Sequence, residues 1–233
     1  VFSILKKRGC EVNYTKYLNE EEYKNYDYII LTSSIICHET EVSALNRLVE
    51  SGKKVFVIGI FANVVKEKYK THNSFIVKGE AESFFSTIDL DKKEIEKFFI
   101  NPTEAEQANI PPMIDNLDDL PFPDWDFYSK KYPLKNNFLG FNSKTAIPIT
   151  ATRGCPYSCF NYCTYPLQQG RKVRFRSVQN VVKEIKHWVS KLDTNKFIFR
   201  DPVFSINRKY TVDLCKEIIK ENLKIEYLIE THL

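Results

Sequence analysis

Short apolar runs rich in β-branched and aromatic residues alternate with longer amphipathic segments, and this alternation limits the possible folds of the chain more than any other feature. Near the amino end, residues 26–32 and 54–60 are such runs, and between them a helical stripe covers 39–50. Weaker alternation at 11–17 and 74–78 also predicts strands. Strands that alternate with helices predict an α/β domain with a doubly wound, Rossmann-like parallel sheet over residues 1–100.

The alternation stops between residues 101 and 143 and then resumes. Six prolines lie in this segment, in acidic and aromatic surroundings (Pro102, Pro111, Pro112, Pro121, Pro123 and Pro133). Proline lacks a backbone N–H and interrupts regular elements, so the segment is predicted to be a linker. Strand and helix patterns over 144–233 then predict three β/α repeats, the first part of a (β/α) barrel.

Composition excludes several classes of function. The 233 residues include 34 basic and 30 acidic side chains, a net charge of only +4, so the chain lacks the basic character of a nucleic-acid-binding protein. Its longest apolar run, residues 55–61, is far too short for a transmembrane helix. The chain opens with Val1 instead of methionine and shows no secretory leader. A complete barrel needs about twice as many repeats, so we expect an interior fragment of a longer protein.

Three of the six cysteines lie within nine residues, directly after the apolar run 145–151. These are Cys155, Cys159 and Cys163. Such a loop can bring three thiolates to one face of an iron–sulfur cluster and leave one of four irons open to a small molecule. Zinc would require further ligands nearby, six cysteines are sparse for a disulfide framework, and inert thiols remain an alternative.

The segment Arg-Gly-Cys-Pro-Tyr-Ser-Cys, followed by Asn-Tyr-Cys, resembles the cluster loop of the radical S-adenosylmethionine (SAM) enzymes. The resemblance implies a 4Fe-4S cluster on the three cysteines, with Tyr162 against the adenine of SAM. It also implies that Asp201 and Glu230, at later strand ends, contact the SAM amino group or ribose. Arg200 is a further candidate, for the SAM carboxylate.

The first domain is similar to the cobalamin-binding domain of one large radical SAM subfamily, whose Leu-Pro-Phe-Pro-Asp linker also matches residues 120–124. Ser33 and Ser34 match the polar turn beside the nucleotide tail of cobalamin. Gly59 matches the glycine where that tail passes close to the backbone, and Gly79 and Glu80 match the acidic turn that ends the domain. The strand that would precede these elements in the subfamily is missing before Val1.

The resemblance implies reductive cleavage of SAM to a 5′-deoxyadenosyl radical, with methyl transfer from cobalamin to an unactivated carbon of a small-molecule or lipid-like substrate. It also implies an electron donor such as flavodoxin or ferredoxin and, because an exposed iron is sensitive to oxygen, a reducing cytoplasmic setting. No catalytic residue is assigned. Phe160 lengthens the second gap of the family's Cys-x3-Cys-x2-Cys pattern by one residue. An electron-transfer module without SAM chemistry, or an inactive remnant, therefore stays an alternative.

Overall fold

The computed structural model describes residues 1–103, 105, 112–132, 146–159 and 163–231. The chain divides into two compact units, Val1–Ile114 and Asp115–Leu233. The division falls inside the segment predicted as a linker.

The first unit contains a parallel sheet of three strands in the order β1–β2–β3, with Ile30 opposite Phe56 and Phe56 opposite Phe75. In chain order its elements are α1 (Phe2–Lys7), α2 (Glu20–Tyr23), β1 (Tyr28–Thr32), α3 (His38–Glu50), β2 (Lys54–Ile58), α4 (Ile60–Val64), α5 (Lys66–Tyr69), β3 (Ser74–Ile76), α6 (Ala81–Thr87) and α7 (Lys92–Ile100).

Helices cover both faces of this sheet because the apolar side chains of each strand alternate between the faces. Val55 and Val57 of β2 lie in a buried cluster with residues of α3, α4 and α5. Phe56, between them, lies in a second cluster with residues of α6 and α7. The predicted doubly wound α/β arrangement is therefore confirmed.

The strand predicted at residues 11–17 is wrong. Within the described part of the first unit, the sheet consists of β1, β2 and β3. Two hydrogen bonds in the 11–17 segment are local: the Thr15 hydroxyl donates to the Tyr17 carbonyl at 2.8 Å, and Tyr14 N–H donates to the Asn13 side chain at 2.8 Å. Alternating side chains do not make a strand where local turns satisfy the backbone instead.

The second unit contains a parallel sheet in the order β4–β7–β8 and a short antiparallel pair, β5 with β6. In chain order its elements are a 3₁₀ turn (Leu117–Asp119), α8 (Trp125–Lys131), β4 (Ala146–Ile149), β5 (Thr152–Arg153), α9 (Tyr165–Gln169), β6 (Arg174–Phe175), α10 (Val178–Leu192), β7 (Lys196–Phe199), α11 (Arg208–Lys220) and β8 (Glu226–Leu228).

The long helices α10 and α11 connect parallel neighbours and pack on one face of their sheet. Phe197 and Phe199 of β7 lie in a buried cluster with Ile185 and Trp188 of α10 and Leu214 of α11. Ile198, between the two phenylalanines, lies in a separate small cluster. Repeated strand–helix units in one parallel sheet confirm the predicted first part of a (β/α) barrel.

None of the helices within the described ranges is both long and apolar enough to cross a membrane.

Candidate functional site

The cysteine loop begins from a tightly held base. Cys155 is buried, and its backbone N–H donates to the Gly170 carbonyl at 3.1 Å. The N–H of Gly154 donates to the Gln169 side-chain oxygen at 3.0 Å. The first predicted cluster ligand is therefore anchored to the turn that follows α9.

Gly154 is required at this base for a steric reason. Its φ is +95°, and a Cβ added there would lie 2.2 Å from the Lys172 carbonyl oxygen. Real Cβ atoms do not approach backbone oxygens so closely, and side chains disfavour this φ. The two backbone segments can therefore meet only because residue 154 lacks a side chain.

The other two cysteines of the loop are half-buried, and all three are free thiols. Cys159 has a positive φ of 34°, which places a sharp bend at the second predicted ligand. Phe160 and Tyr162 lie outside the described residues, so their predicted roles stay predictions.

In the described ranges, no three His, Cys, Asp or Glu side chains come together closely enough to hold a single metal ion. A four-iron cluster has a different requirement, because each thiolate binds a different iron. Soft thiolate donors fit iron–sulfur chemistry. Three free cysteines at the carboxyl-end edge of a parallel sheet are therefore a donor set that fits such a cluster.

The structure brings together two residues that the sequence places at separate strand ends. Arg200 follows β7, Glu230 follows β8, and the Arg200 guanidinium lies 2.8 Å from the Glu230 carboxylate. Both side chains are about half exposed, at 53% and 46%. The pair presents one positive and one negative group to solvent at the edge where barrel enzymes place their sites.

Tyr165, at the start of α9, is a residue of this edge that sequence reasoning missed. Burial raises the pKa of its hydroxyl, and the negative charge of Glu230 raises this pKa further. Arg200 acts on the same hydroxyl in the opposite direction, and Cys163 also raises its pKa. Tyr165 is therefore within electrostatic range of Cys163 and of both members of the Arg200–Glu230 pair. In the sequence, the feature that could have pointed to Tyr165 is its position two residues after Cys163.

Asp201 is placed differently from the direct SAM contact that the resemblance implies. Its side chain has no exposed surface. The carboxylate accepts hydrogen bonds from the Ala151 N–H at 3.0 Å, from the Thr152 hydroxyl at 2.7 Å and from the Thr152 N–H. Burial raises its pKa to about 6, and these hydrogen bonds offset only part of that effect. The carboxylate thus faces the protein backbone instead of an open site.

In the first unit, Ser33 and Gly59 lie against each other where β1 and β2 end. Ser33 is buried, and its hydroxyl accepts a hydrogen bond from the Ala62 N–H at 2.9 Å. Gly59 has a φ of +103°, and a Cβ there would lie 2.7 Å from the Ser33 carbonyl oxygen. The close approach at Gly59 is thus to the neighbouring strand end.

Ser34 belongs to a polar cluster centred on Glu41 of α3. The Glu41 carboxylate accepts from the Ser34 hydroxyl at 2.6 Å, from its N–H at 2.8 Å and from the buried Tyr69 hydroxyl at 2.8 Å. These bonds fix the turn after β1. The Ser34 side chain is half-buried and is engaged by Glu41 at the edge of the sheet.

Gly79 and Glu80 form the turn before α6. Gly79 has a φ of +70°. Glu80 is buried, and its carboxylate accepts a hydrogen bond from the Ile114 N–H at 2.8 Å. The acidic residue of this turn therefore ties the last residue of the first unit to its sheet.

Two curated relatives show the sequence similarity. The chain is 25% identical over 209 residues to bacteriochlorophyllide d C-12(1)-methyltransferase of Chlorobaculum tepidum, covering 86% of this chain and 41% of that protein. It is 34% identical over 122 residues to anaerobic magnesium-protoporphyrin IX monomethyl ester cyclase of Rubrivivax gelatinosus, covering 52% of this chain and 21% of the relative. No family model matches the chain.

A solved structure shows the similarity in fold. The radical SAM methyltransferase TsrM of Kitasatospora setae, with cobalamin and a [4Fe-4S] cluster bound, superposes with a TM-score of 0.56 at 13% identity. The match covers 87% of this chain and 43% of TsrM. The chain shares the fold of TsrM over the matched region. The sequence relatives and this shared fold together confirm the predicted resemblance to the cobalamin-dependent radical SAM enzymes.

The chain spans about two fifths of the length of the radical SAM methyltransferase TsrM and of the chlorobacterial methyltransferase. At 13% identity the superposition with this radical SAM enzyme establishes the architecture alone. The individual site residues therefore rest on their own geometry.

Proposed function

We propose that this chain is part of a cobalamin-dependent radical SAM enzyme, a methyltransferase that cleaves SAM reductively at a 4Fe-4S cluster. The observation that carries the proposal is the position of the three-cysteine loop. The loop starts from a fixed base at Cys155 and follows β4, and the sheet that contains β4 also carries the Arg200–Glu230 pair at the carboxyl ends of β7 and β8.

Cys155, Cys159 and Cys163 are proposed to hold the cluster. When bound, the cluster supplies the electron that cleaves SAM, and cobalamin supplies the methyl group. The protein's contribution is to bind and orient these groups and to exclude water from them.

Arg200 and Glu230 are suited to an amino acid headgroup. Their side chains already pair at 2.8 Å and remain about half exposed. A zwitterionic headgroup can exchange with such a pair, since its carboxylate matches the guanidinium and its ammonium matches the carboxylate. We propose that Arg200 binds the SAM carboxylate and that Glu230 binds its amino group or ribose, with Tyr165 orienting Glu230.

The turns after β1, β2 and β3 are proposed to hold the nucleotide tail of cobalamin. This edge lies at the carboxyl ends of parallel strands, where doubly wound sheets bind ligands. The hydroxyls of Ser33 and Ser34 are engaged in hydrogen bonds within the protein, so their contribution is to shape the turn. Gly59 allows the two strand ends to approach each other.

Methyl transfer is supported by the methyltransferases among both the sequence relatives and the solved structures of the same fold. We propose a small organic molecule as its substrate and a reduced protein such as flavodoxin or ferredoxin as its electron donor. An open iron reacts with oxygen, so the proposed setting is a reducing cytoplasm.

The test is electron paramagnetic resonance of the anaerobically reconstituted, reduced chain with and without SAM. A cluster signal that SAM changes is expected, and Cys155→Ala should abolish it. Cys215→Ala is the control, because this half-buried cysteine lies on α11, outside the loop.

Three other outcomes overturn the proposal in different ways. A signal that ignores SAM indicates an electron-transfer module. A signal that forms only after deletion of Phe160 indicates an inherited site that the extra residue has disabled. The absence of iron from every variant indicates an inactive remnant.

A further inference from the structure

We propose that Asp201 is the positioning residue of the cluster loop: its buried carboxylate fixes the backbone that delivers Cys155 to the cluster. The inference rests on the proposed function, since it concerns the same cluster. It assigns Asp201 a role other than contact with SAM.

The hydrogen bonds of Asp201 all go to the start of the loop. Its carboxylate accepts from the N–H groups of Ala151 and Thr152 and from the Thr152 hydroxyl, about 50 positions earlier in the chain. Aspartate suits this task because an ionised carboxylate is an acceptor at both oxygens. Asparagine would turn an NH₂ donor toward one of these N–H groups, and alanine would leave buried donors unsatisfied.

Neighbouring backbone groups are held as well. The Ile149 carbonyl accepts from the Arg200 N–H at 2.8 Å, and the Ala151 carbonyl accepts from the Arg176 N–H at 2.9 Å. The Arg176 guanidinium also donates to the Thr150 carbonyl at 2.8 Å. The chain therefore leaves β4 in one fixed direction.

The fixed segment leads directly to the first cysteine. Thr152 and Arg153 pair with β6, and the N–H groups of Gly154 and Cys155 then bond to residues 169 and 170. Beyond Cys155 the carbonyls of Pro156 and Tyr157 lie 3.4 Å from the Arg171 guanidinium. The backbone hydrogen bonds of Gly154 and Cys155 thus fix the first cysteine at the base of the loop.

Asp201 also connects this base to the proposed SAM-binding edge. Its immediate neighbour Arg200 carries the guanidinium of the exposed pair with Glu230. Adjacent residues of an extended chain point to opposite sides. The Asp201 side chain therefore holds the cluster loop while the Arg200 side chain faces solvent. Because the two residues are adjacent, this arrangement sets the position of Cys155 relative to Arg200.

The experiment compares two variants of the reconstituted chain that each lack one buried hydroxyl, Thr152→Val and Thr194→Val. Thr152→Val removes a donor to Asp201 and conserves side-chain shape, whereas Thr152→Ser retains the hydroxyl. Thr194→Val is the matched control, because Thr194 is also buried and its hydroxyl accepts from the Lys196 N–H, at the opposite end of β7. Asp201→Asn is the stronger variant of the same contact.

The measurements are the rate of iron loss to a chelator, the paramagnetic spectrum of the reduced cluster, and thermal unfolding by circular dichroism. We expect Thr152→Val and Asp201→Asn to lose iron about tenfold faster, as the loss of a charge-assisted hydrogen bond implies. Their spectra should change, while Thr152→Ser and Thr194→Val keep the parent rate and spectrum.

Parent-like iron loss and spectra in Thr152→Val overturn the inference and leave the proposed function standing. Equal effects from Thr152→Val and Thr194→Val also overturn it, because they indicate general destabilisation. If Asp201→Asn does not fold, the two Thr152 variants decide the question. A parent chain that binds no cluster overturns the proposed function, and the inference falls with it.

Discussion

Arg200 and Glu230 lie 30 positions apart in the sequence, yet their side chains form an ion pair of 2.8 Å where β7 and β8 end. The two strands are parallel neighbours, so their carboxyl ends meet at one edge of the sheet. The Tyr165 hydroxyl interacts electrostatically with both members of the pair. The contribution of this pair to SAM binding can therefore be measured separately from its contribution to the stability of the fold.

Exchange of the two charges tests that separation. The variant Arg200→Glu with Glu230→Arg retains the ion pair, and its unfolding free energy should change by less than about 1 kcal/mol because the pair is half exposed. SAM affinity should fall, since the orientation of the headgroup is reversed. Equilibrium binding to the reconstituted chain measures this affinity, and unchanged affinity would contradict the assigned roles.

Gly154→Ala should disrupt the base of the cysteine loop. The new Cβ would meet the Lys172 carbonyl at a φ of +95°, and such backbone strain alone costs about 1–3 kcal/mol. Gly52→Ala is the control, because Gly52 has a φ of +80° with open space around it. Urea unfolding should show a larger loss for Gly154→Ala. Equal losses would mean that the close contact with Lys172 is unimportant.

Replacement of Glu184 should destabilise the second unit strongly. Its buried carboxylate lies 2.5 Å from the Arg176 guanidinium. Glu184→Leu leaves this cation without its partner, and breaking a buried pair costs about 3–5 kcal/mol. The exposed pair of Lys186 and Glu221 provides the comparison, and Glu221→Gln should have little effect. Similar unfolding midpoints for both variants would refute the prediction.

Protonation of Asp201 should stabilise the folded chain as the pH falls. Burial raises its pKa from 3.8 to about 6, so the folded state binds this proton more tightly than the unfolded state. The contribution is complete below pH 3.8 and is lost as the pH rises through about 6. Arg176 and Tyr210 also face this carboxylate, with Arg176 opposing the increase in pKa.

Urea unfolding at several pH values measures this contribution as a difference between two proteins. The parent chain should gain stability relative to Asp201→Asn between about pH 7 and about pH 4. The two proteins share all other titratable groups, so the contributions of those groups cancel in the difference between the two unfolding free energies. A difference that stays constant or has the opposite slope would show that the pKa of Asp201 is not raised.

Local patterns predicted the larger elements well. The apolar spacing from Val178 to Leu192 predicted helix α10, and Ser177 caps it as expected by accepting from the Asn180 N–H at 3.1 Å. The alternation at 11–17 failed, because a strand also needs a neighbouring strand edge. Periodicity describes one element and carries no information about its partner.

The sequence by itself determined the chemistry available to this protein: three thiols within nine residues, and parallel strand ends that carry polar side chains. Only the tertiary structure decided that Asp201 faces inward to Ala151 while Arg200 faces Glu230, and that the Tyr165 hydroxyl lies within electrostatic range of that pair. Spacing within one loop is a property of the chain. Contacts between residues 30 or 50 positions apart depend on strand order and register, which the packing of α10 and α11 against the sheet establishes.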